Sequence, residues 1–226
     1  MTHKNQTVGE LATQTSAAIG VLERYAVNYY SKGHRSVADA CKERGVPVEI
    51  LLAEIEAAVE GNTGQRLNWE TMSLTKLIDC IVSWHHGYLR QELPRLESLL
   101  DKTISVHGLC RGDLLSRLRV TFHRFRDHIE EHIQKEEGIV FPAIAGMEQA
   151  GMSLEAIFDP IRLMEEEHES AIESLDQIMS LARCLDQSRA CMMLLTRGFA
   201  ALERDMHEHL HLENNILFRR VLAFRP

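Results

Sequence analysis

Two stretches of this chain set an imidazole and a carboxylate four residues apart, then repeat the same tail. His132-Ile-Gln-Lys-Glu136-Glu-Gly-Ile-Val-Phe141 and His209-Leu-His-Leu-Glu213-Asn-Asn-Ile-Leu-Phe218 both read HxxxE, two residues, two aliphatics and a phenylalanine. A further histidine precedes each: His86 lies 46 residues before His132, and His168 lies 41 before His209. On a helix, residues i and i+4 share a face one turn apart. Two such helices facing across a core supply two histidines and two glutamates, and His86 and His168 complete four ring nitrogens. Bridging carboxylates can hold two metals about 3.5–4 Å apart. A set of nitrogen and oxygen donors without thiolate suits iron, manganese or zinc. Such a set leaves an open or solvent-bridged position, where oxygen, nitric oxide or water could bind.

The expected ligands are therefore His86, His132, Glu136, His168, His209 and Glu213. A rival register exists. Glu165-Glu-Glu-His168 and Glu208-His-Leu-His211 each fit ExxH, the spacing of ferritin-like di-iron proteins, with Glu92 or Glu136 as the added carboxylate. It leaves His132 and His209 unexplained. His85, His123, His207 and His211 are expected at the surface or rim. His128, one turn before His132, is expected as a bundle-end residue, a hydrogen-bond donor to a ligand, or an extra ligand.

These residues need long helices to position them. Strand signals are nearly absent, so the fold class is all-α. Residues 1–60 read as a small helical domain. Thr7-Val-Gly-Glu10 resembles a capping box, with a helix running on to about Tyr25. Ser36 opens a short helix ending near Gly45, and Pro47 starts a third. Residues 61–72 read as a linker, with Gly61-Asn-Thr-Gly64 as its best turn signal. A four-helix bundle follows over 73–222. Its helices are expected at Ser73–Leu100, bent near Pro94; at Asp113–Met147, disturbed by Pro142; from an Asp159-Pro160 cap to Leu185; and at Ser188–Val221. Short joins favour an up-down-up-down order.

Composition narrows the function. The 226 residues are 45% hydrophobic, enough for a sizeable core, and the formal net charge is −8. That sign disfavours nucleic acid, whose phosphates demand a basic surface, and an anionic membrane. The start MTHKNQTVGELATQTS has no apolar signal core, and no stretch approaches a spanning helix. The five cysteines are scattered and form no CxxC pair. Reduced, mostly buried thiols in a cytoplasmic protein are expected.

Nearly the whole chain resembles the repair-of-iron-centres (ScdA/YtfE-type) family of iron-sulfur cluster repair proteins, which carry a hemerythrin-like di-iron domain. The resemblance rests on TVGELA and NYYSKGHRSVADAC in the leading part. In the bundle it rests on His86-Gly-Tyr-Leu-Arg-Gln-Glu-Leu-Pro94, His132-Ile-Gln-Lys-Glu136-Glu with Phe141-Pro142, Met164-Glu-Glu-Glu-His168 and the His209–Phe218 motif. The spacing to Pro94 selects His86 over His85. The family's ligands carry over to the six residues already named.

The resemblance implies two iron ions, oxo- or hydroxo-bridged, with manganese or zinc as lesser fits. It implies a role in nitrosative and oxidative stress, repairing damaged iron-sulfur proteins, with iron donation as one route. Alternatives are an oxygen- or nitric-oxide-binding sensor, or a nitric oxide reductase, so enzyme status stays open. A monomer or a homodimer fits equally. One departure stands out: the family's adjacent cysteines are absent, and Asn28-Tyr-Tyr-Ser-Lys-Gly33 stands in their place.

Overall fold

The computed structural model describes residues 6–14, 16–60, 68–150 and 155–223. The fold is all-α: among these residues the only β-type pairing is an isolated bridge between Thr7 and Ser36. The chain divides into two compact units, Met1–Leu77 with Leu210–Pro226, and Ile78–His209. The expected turn at Gly61–Gly64 lies outside the described residues.

In the first unit, α1 (Val8–Gln14), α2 (Ser16–Arg24), α3 (Val37–Arg44) and α4 (Val48–Glu60) surround a small core. Val8, Leu11, Leu22, Tyr29, Val37, Cys41 and Leu51 are its buried centre. The capping box forms: Glu10 N donates to Thr7 Oγ1 at 3.2 Å, and Thr7 N donates to the Glu10 carboxylate at 3.1 Å. Ser36 caps α3 by accepting from Asp39 N at 3.1 Å. Gly45 closes it at φ +66°, the left-handed conformation that a side chain disfavours.

Longer helices follow: α5 (Leu74–Ile81), α6 (Gly87–Lys135), α7 (Phe141–Ala150), α8 (Glu155–Arg183) and α9 (Ala190–His211); of this stretch, residues up to Leu77 and from Leu210 onward belong to the first unit and the rest to the second. Three π-helical segments interrupt the series, at Val82–His86, Glu136–Val140 and Leu212–Phe218, and α10 (Arg219–Ala223) follows the last. A straight α6 of 49 residues would run about 74 Å. It does not: Glu97 pairs with Arg126, and Asp101 lies 3.9 Å from Arg119. The chain therefore reverses between Asp101 and Arg119, and α6 forms two antiparallel arms. With α8 and α9 these arms make the expected four-helix arrangement. Where the sequence suggested a break between Leu100 and Asp113, helical hydrogen bonding continues through the reversal.

The proline expectations need adjusting. Pro160 was expected at the first position of a helix, but α8 already begins at Glu155. At the sixth helical residue Pro160 lies past the first turn, so the helix gives up the bond its N–H would make to Ala156 O. Pro94 is carried inside the first arm of α6, and Pro142 in the first turn of α7.

One periodic stripe organises the second unit. Leu89, Leu93, Leu96 and Leu100 are buried on the first arm; Leu118, Phe122, Phe125 and Ile129 on the second; Met192, Leu195, Phe199, Leu202 and Met206 on α9. The three- and four-residue steps mark one helix face. Continued in the same phase, each stripe reaches a polar residue: His86 before Leu89, His132 and Glu136 after Ile129, and His209 after Met206. The core of the bundle thus becomes its site without a change of face.

Candidate metal centre

The geometry of this site begins with Glu136, whose carboxylate is fully buried. Its Oε2 lies 3.3 Å from His86 Nε2. Its Oε1 lies 3.3 Å from His132 Nε2 and 3.8 Å from His168 Nε2. The histidines form two pairs. His86 and His209 bring their Nε2 atoms to 3.2 Å, and His132 and His168 to 3.0 Å. Glu136 stands between the pairs with one oxygen toward each. Glu213 follows His209 by one turn of the same continuous helix and is also fully buried. Ligand atoms converge within 4.8 Å in two groups, His86-Glu136-His209-Glu213 and His132-Glu136-His168-Glu213. The two glutamates belong to both.

Burying two carboxylates without a counter-charge is costly. Neutral imidazoles supply no positive charge, so cations are the natural complement. The donor set is all nitrogen and oxygen, which fits a divalent first-row metal. This is a candidate metal-binding site on the ground of donor chemistry and burial together.

A second layer holds the histidines in place. His86 Nδ1 lies 2.7 Å from the Glu137 carboxylate, which also accepts from Arg90 at 2.6 Å. His132 Nδ1 lies 2.8 Å from Glu167, which also accepts from Lys135 at 2.7 Å. Burial pulls both carboxyls upward. For Glu137 the hydrogen bonds from Arg90 and His86 outweigh it; for Glu167 those from Lys135 and His132 do. Both therefore titrate below the ordinary carboxylate range. An ionised carboxylate on Nδ1 fixes the proton there and leaves Nε2 to face the centre.

The π-helical segments fall on the site. His86 ends the first, Glu136 starts the second, and Glu213 lies in the third. The signature of the wider turn is an i→i−5 bond, as from Phe141 N to Glu136 O. Such insertions are frequent at functional sites, because they re-aim side chains within a helix.

Several expectations change. His85, His207 and His211, expected at the rim, are buried. His85 bonds Asp205 at 2.9 Å and stacks parallel on His209 at 5.3 Å between centroids. His128 lies 6.4 Å from the His132 ring and belongs to neither converging group; burial lowers its pKa. In the ExxH register Glu165 is exposed and Glu92 pairs with Arg95. Among the described cysteines only Cys41 is buried. Sequence reasoning missed Glu137 and Glu167 as histidine partners. The available signal was a carboxylate directly beside a ligand candidate, Glu136 in one case and His168 in the other.

The hemerythrin HHE cation-binding domain model matches residues 81–221. The chain belongs to the hemerythrin HHE cation-binding family. A model described as a domain of unknown function (DUF542, ScdA_N) matches residues 4–59. Curated relatives include the iron-sulfur cluster repair proteins YtfE of Yersinia pestis (strain Pestoides F) and of Yersinia pseudotuberculosis serotype O:1b (strain IP 31758). Each is 30% identical over 228 aligned residues, covering 98% of this chain and 99% of the relative. No helix among the described residues is long and apolar enough to cross a membrane.

Proposed function

We propose that this protein is a di-iron protein that restores iron-sulfur clusters damaged by nitric oxide or oxidants. His86 and His209 would hold one iron, His132 and His168 the other, with Glu136 and Glu213 bridging. The observation that carries the reading is Glu136, buried between two histidine pairs with one oxygen toward each. The names of the full-length relatives supply the client class, damaged iron-sulfur proteins. Bound iron would supply a redox-active, coordinatively open centre or iron for transfer. The chain's own part is to orient four imidazoles, keep Nδ1 protonated through Glu137 and Glu167, and exclude bulk water from the donors. Histidine and carboxylate hold ferrous iron less firmly than thiolate clusters do, which suits a donor. The expected domains are a leading helical domain over 1–60, a linker over 61–72 and the bundle over 73–222.

The test uses purified, iron-loaded full-length protein and an enzyme whose [4Fe–4S] cluster has been damaged by peroxide or nitric oxide. Recovery of that enzyme should accelerate with the wild-type protein and not with Glu136→Ala. Equal recovery with both proteins contradicts the proposal.

One observation favours a second reading, reversible binding or sensing of oxygen or nitric oxide. Where the resembled family carries adjacent cysteines, this chain has Asn28-Tyr-Tyr-Ser-Lys-Gly33, with no cysteine in it. Neither tyrosine nor serine offers a thiolate for transfer chemistry. Stable gas adducts without iron loss would favour this reading; nitrous oxide from a single turnover would instead indicate reduction of nitric oxide.

A further inference from the structure

The turn that carries Glu213 is held from outside the bundle motif. Asn214 and Asn215 follow Glu213 directly, and both side-chain amides donate to one short backbone stretch. Asn215 Nδ2 donates to Tyr29 O at 2.9 Å and reaches Tyr30 O at 3.4 Å. Asn214 Nδ2 donates to Tyr30 O at 3.2 Å. One turn before Asn215, His211 accepts from the same Asn215 amide at 3.1 Å through Nδ1. The buried Tyr29 ring meets His211 edge-on at 5.4 Å, and its hydroxyl lies 3.0 Å from Glu23. Contacts from residues 29 and 30 thus grip the π-helical turn on both sides of Glu213.

Two glycines make the seat for this amide. A Cβ on Gly33 would fall 1.8 Å from Asn215 Oδ1, and one on Gly9 would fall 2.7 Å from it. Gly9 N donates to Gly33 O at 2.9 Å, tying the two together. Any side chain at Gly33 must expel Asn215. Hydrogen bonds hold that amide on the other side, so the displacement has no easy outlet.

We propose that Asn215, seated on Gly9 and Gly33 and bonded to Tyr29, is the positioning residue for Glu213. The leading segment thereby sets how firmly Glu213 holds metal. The Tyr29–Gly33 stretch acts as a mechanical clamp on a ligand-bearing turn. The metal part of this inference rests on the proposed di-iron reading; the clamp itself does not.

The experiment compares full-length wild type, Asn215→Ala, Gly33→Ala and the double variant, with Arg219→Ala as a control. Arg219 pairs with Glu10 at the exposed edge of the same contact. Circular dichroism checks that each variant is folded. Hydrogen exchange reads the amides of 211–218, and iron release to a chelator reads the site. Asn215→Ala and Gly33→Ala should each lower protection of 211–218 about tenfold or more. They should release iron roughly ten- to a hundredfold faster, as lost outer-shell support does elsewhere, while Arg219→Ala stays within about twofold. The double variant should be no worse than Asn215→Ala alone, because both changes break one contact. Unchanged protection in the folded single variants overturns the clamp. Reduced protection with unchanged iron release overturns its control of the metal. A wild type that takes up no metal sinks the di-iron reading, and hydrogen exchange still decides the clamp.

Discussion

His86 is gripped at both ring nitrogens by consecutive glutamates. Glu136 lies 3.3 Å from its Nε2, and Glu137 lies 2.7 Å from its Nδ1. Adjacent residues on a regular α-helix point about 100° apart. The π-helical segment that begins at Glu136 is where two neighbours come to address opposite edges of one ring. The motif is thus more than an i, i+4 pair. It delivers a candidate ligand and the group that orients another ligand within one step of chain.

Glu137→Gln keeps the size of the side chain and removes its charge. Metal affinity should fall roughly 10- to 100-fold, with the fold intact. Isothermal titration of metal-free protein with a divalent metal measures this directly. An affinity within about twofold of wild type would mean that Glu137 is only a surface partner of Arg90.

Glu136→Ala and Glu213→Ala should each lose well over half of the bound metal. His85→Ala should lose much less, because His85 contacts the site by stacking on His209 and bonds Asp205. Metal analysis of the three purified variants makes the comparison. Equal retention in all three removes the basis for a bridging role.

The acid response of the first unit follows from His211. Burial lowers its pKa to about 4 from an ordinary 6.5. Between those values the unfolded chain binds a proton that the folded chain refuses, so stability falls as pH drops from about 6.5 to about 4. The loss from this group is bounded at about 3 kcal/mol. Above pH 6.5 it contributes no slope. Urea midpoints across this range should decline less steeply in His211→Gln than in wild type. Parallel curves would show that His211 is protonated without cost.

Helix caps give a local check on the first unit. Ser36→Ala removes the acceptor for Asp39 N and should cost about 1 kcal/mol. In the bundle, Phe199 is buried with its ring 5.4 Å from Phe122. Phe199→Ala should cost about 3–5 kcal/mol. Chemical denaturation should rank the two variants in that order.

Much of the helical framework was legible because the apolar residues keep a three- and four-residue period along each arm. The converging groups were legible because HxxxE recurs with its aliphatic-phenylalanine tail. Other features were not. Helix ends near proline depend on one hydrogen bond, so Asp159-Pro160 looked like a start when α8 begins at Glu155. The π-helical turns were not legible, since an inserted residue only slips the phase of the apolar stripe by one position, and each segment is too short for that slip to stand out. His85, His207 and His211 looked peripheral because a straight α-helix would turn them away from His86 and His209. Their burial depends on which neighbouring elements cover those faces, and single-helix periodicity carries no such information.

Two metals sharing Glu136 are the centre of the proposed function. The most direct measurement is metal content together with the near-ultraviolet and visible spectrum of aerobically purified full-length protein. The account predicts about two irons per chain and the strong near-ultraviolet absorption of an oxo-bridged ferric pair, both lost in Glu136→Ala. A single iron per chain, a spectrally silent metal such as zinc, or a Glu136→Ala protein that keeps the full complement would contradict it.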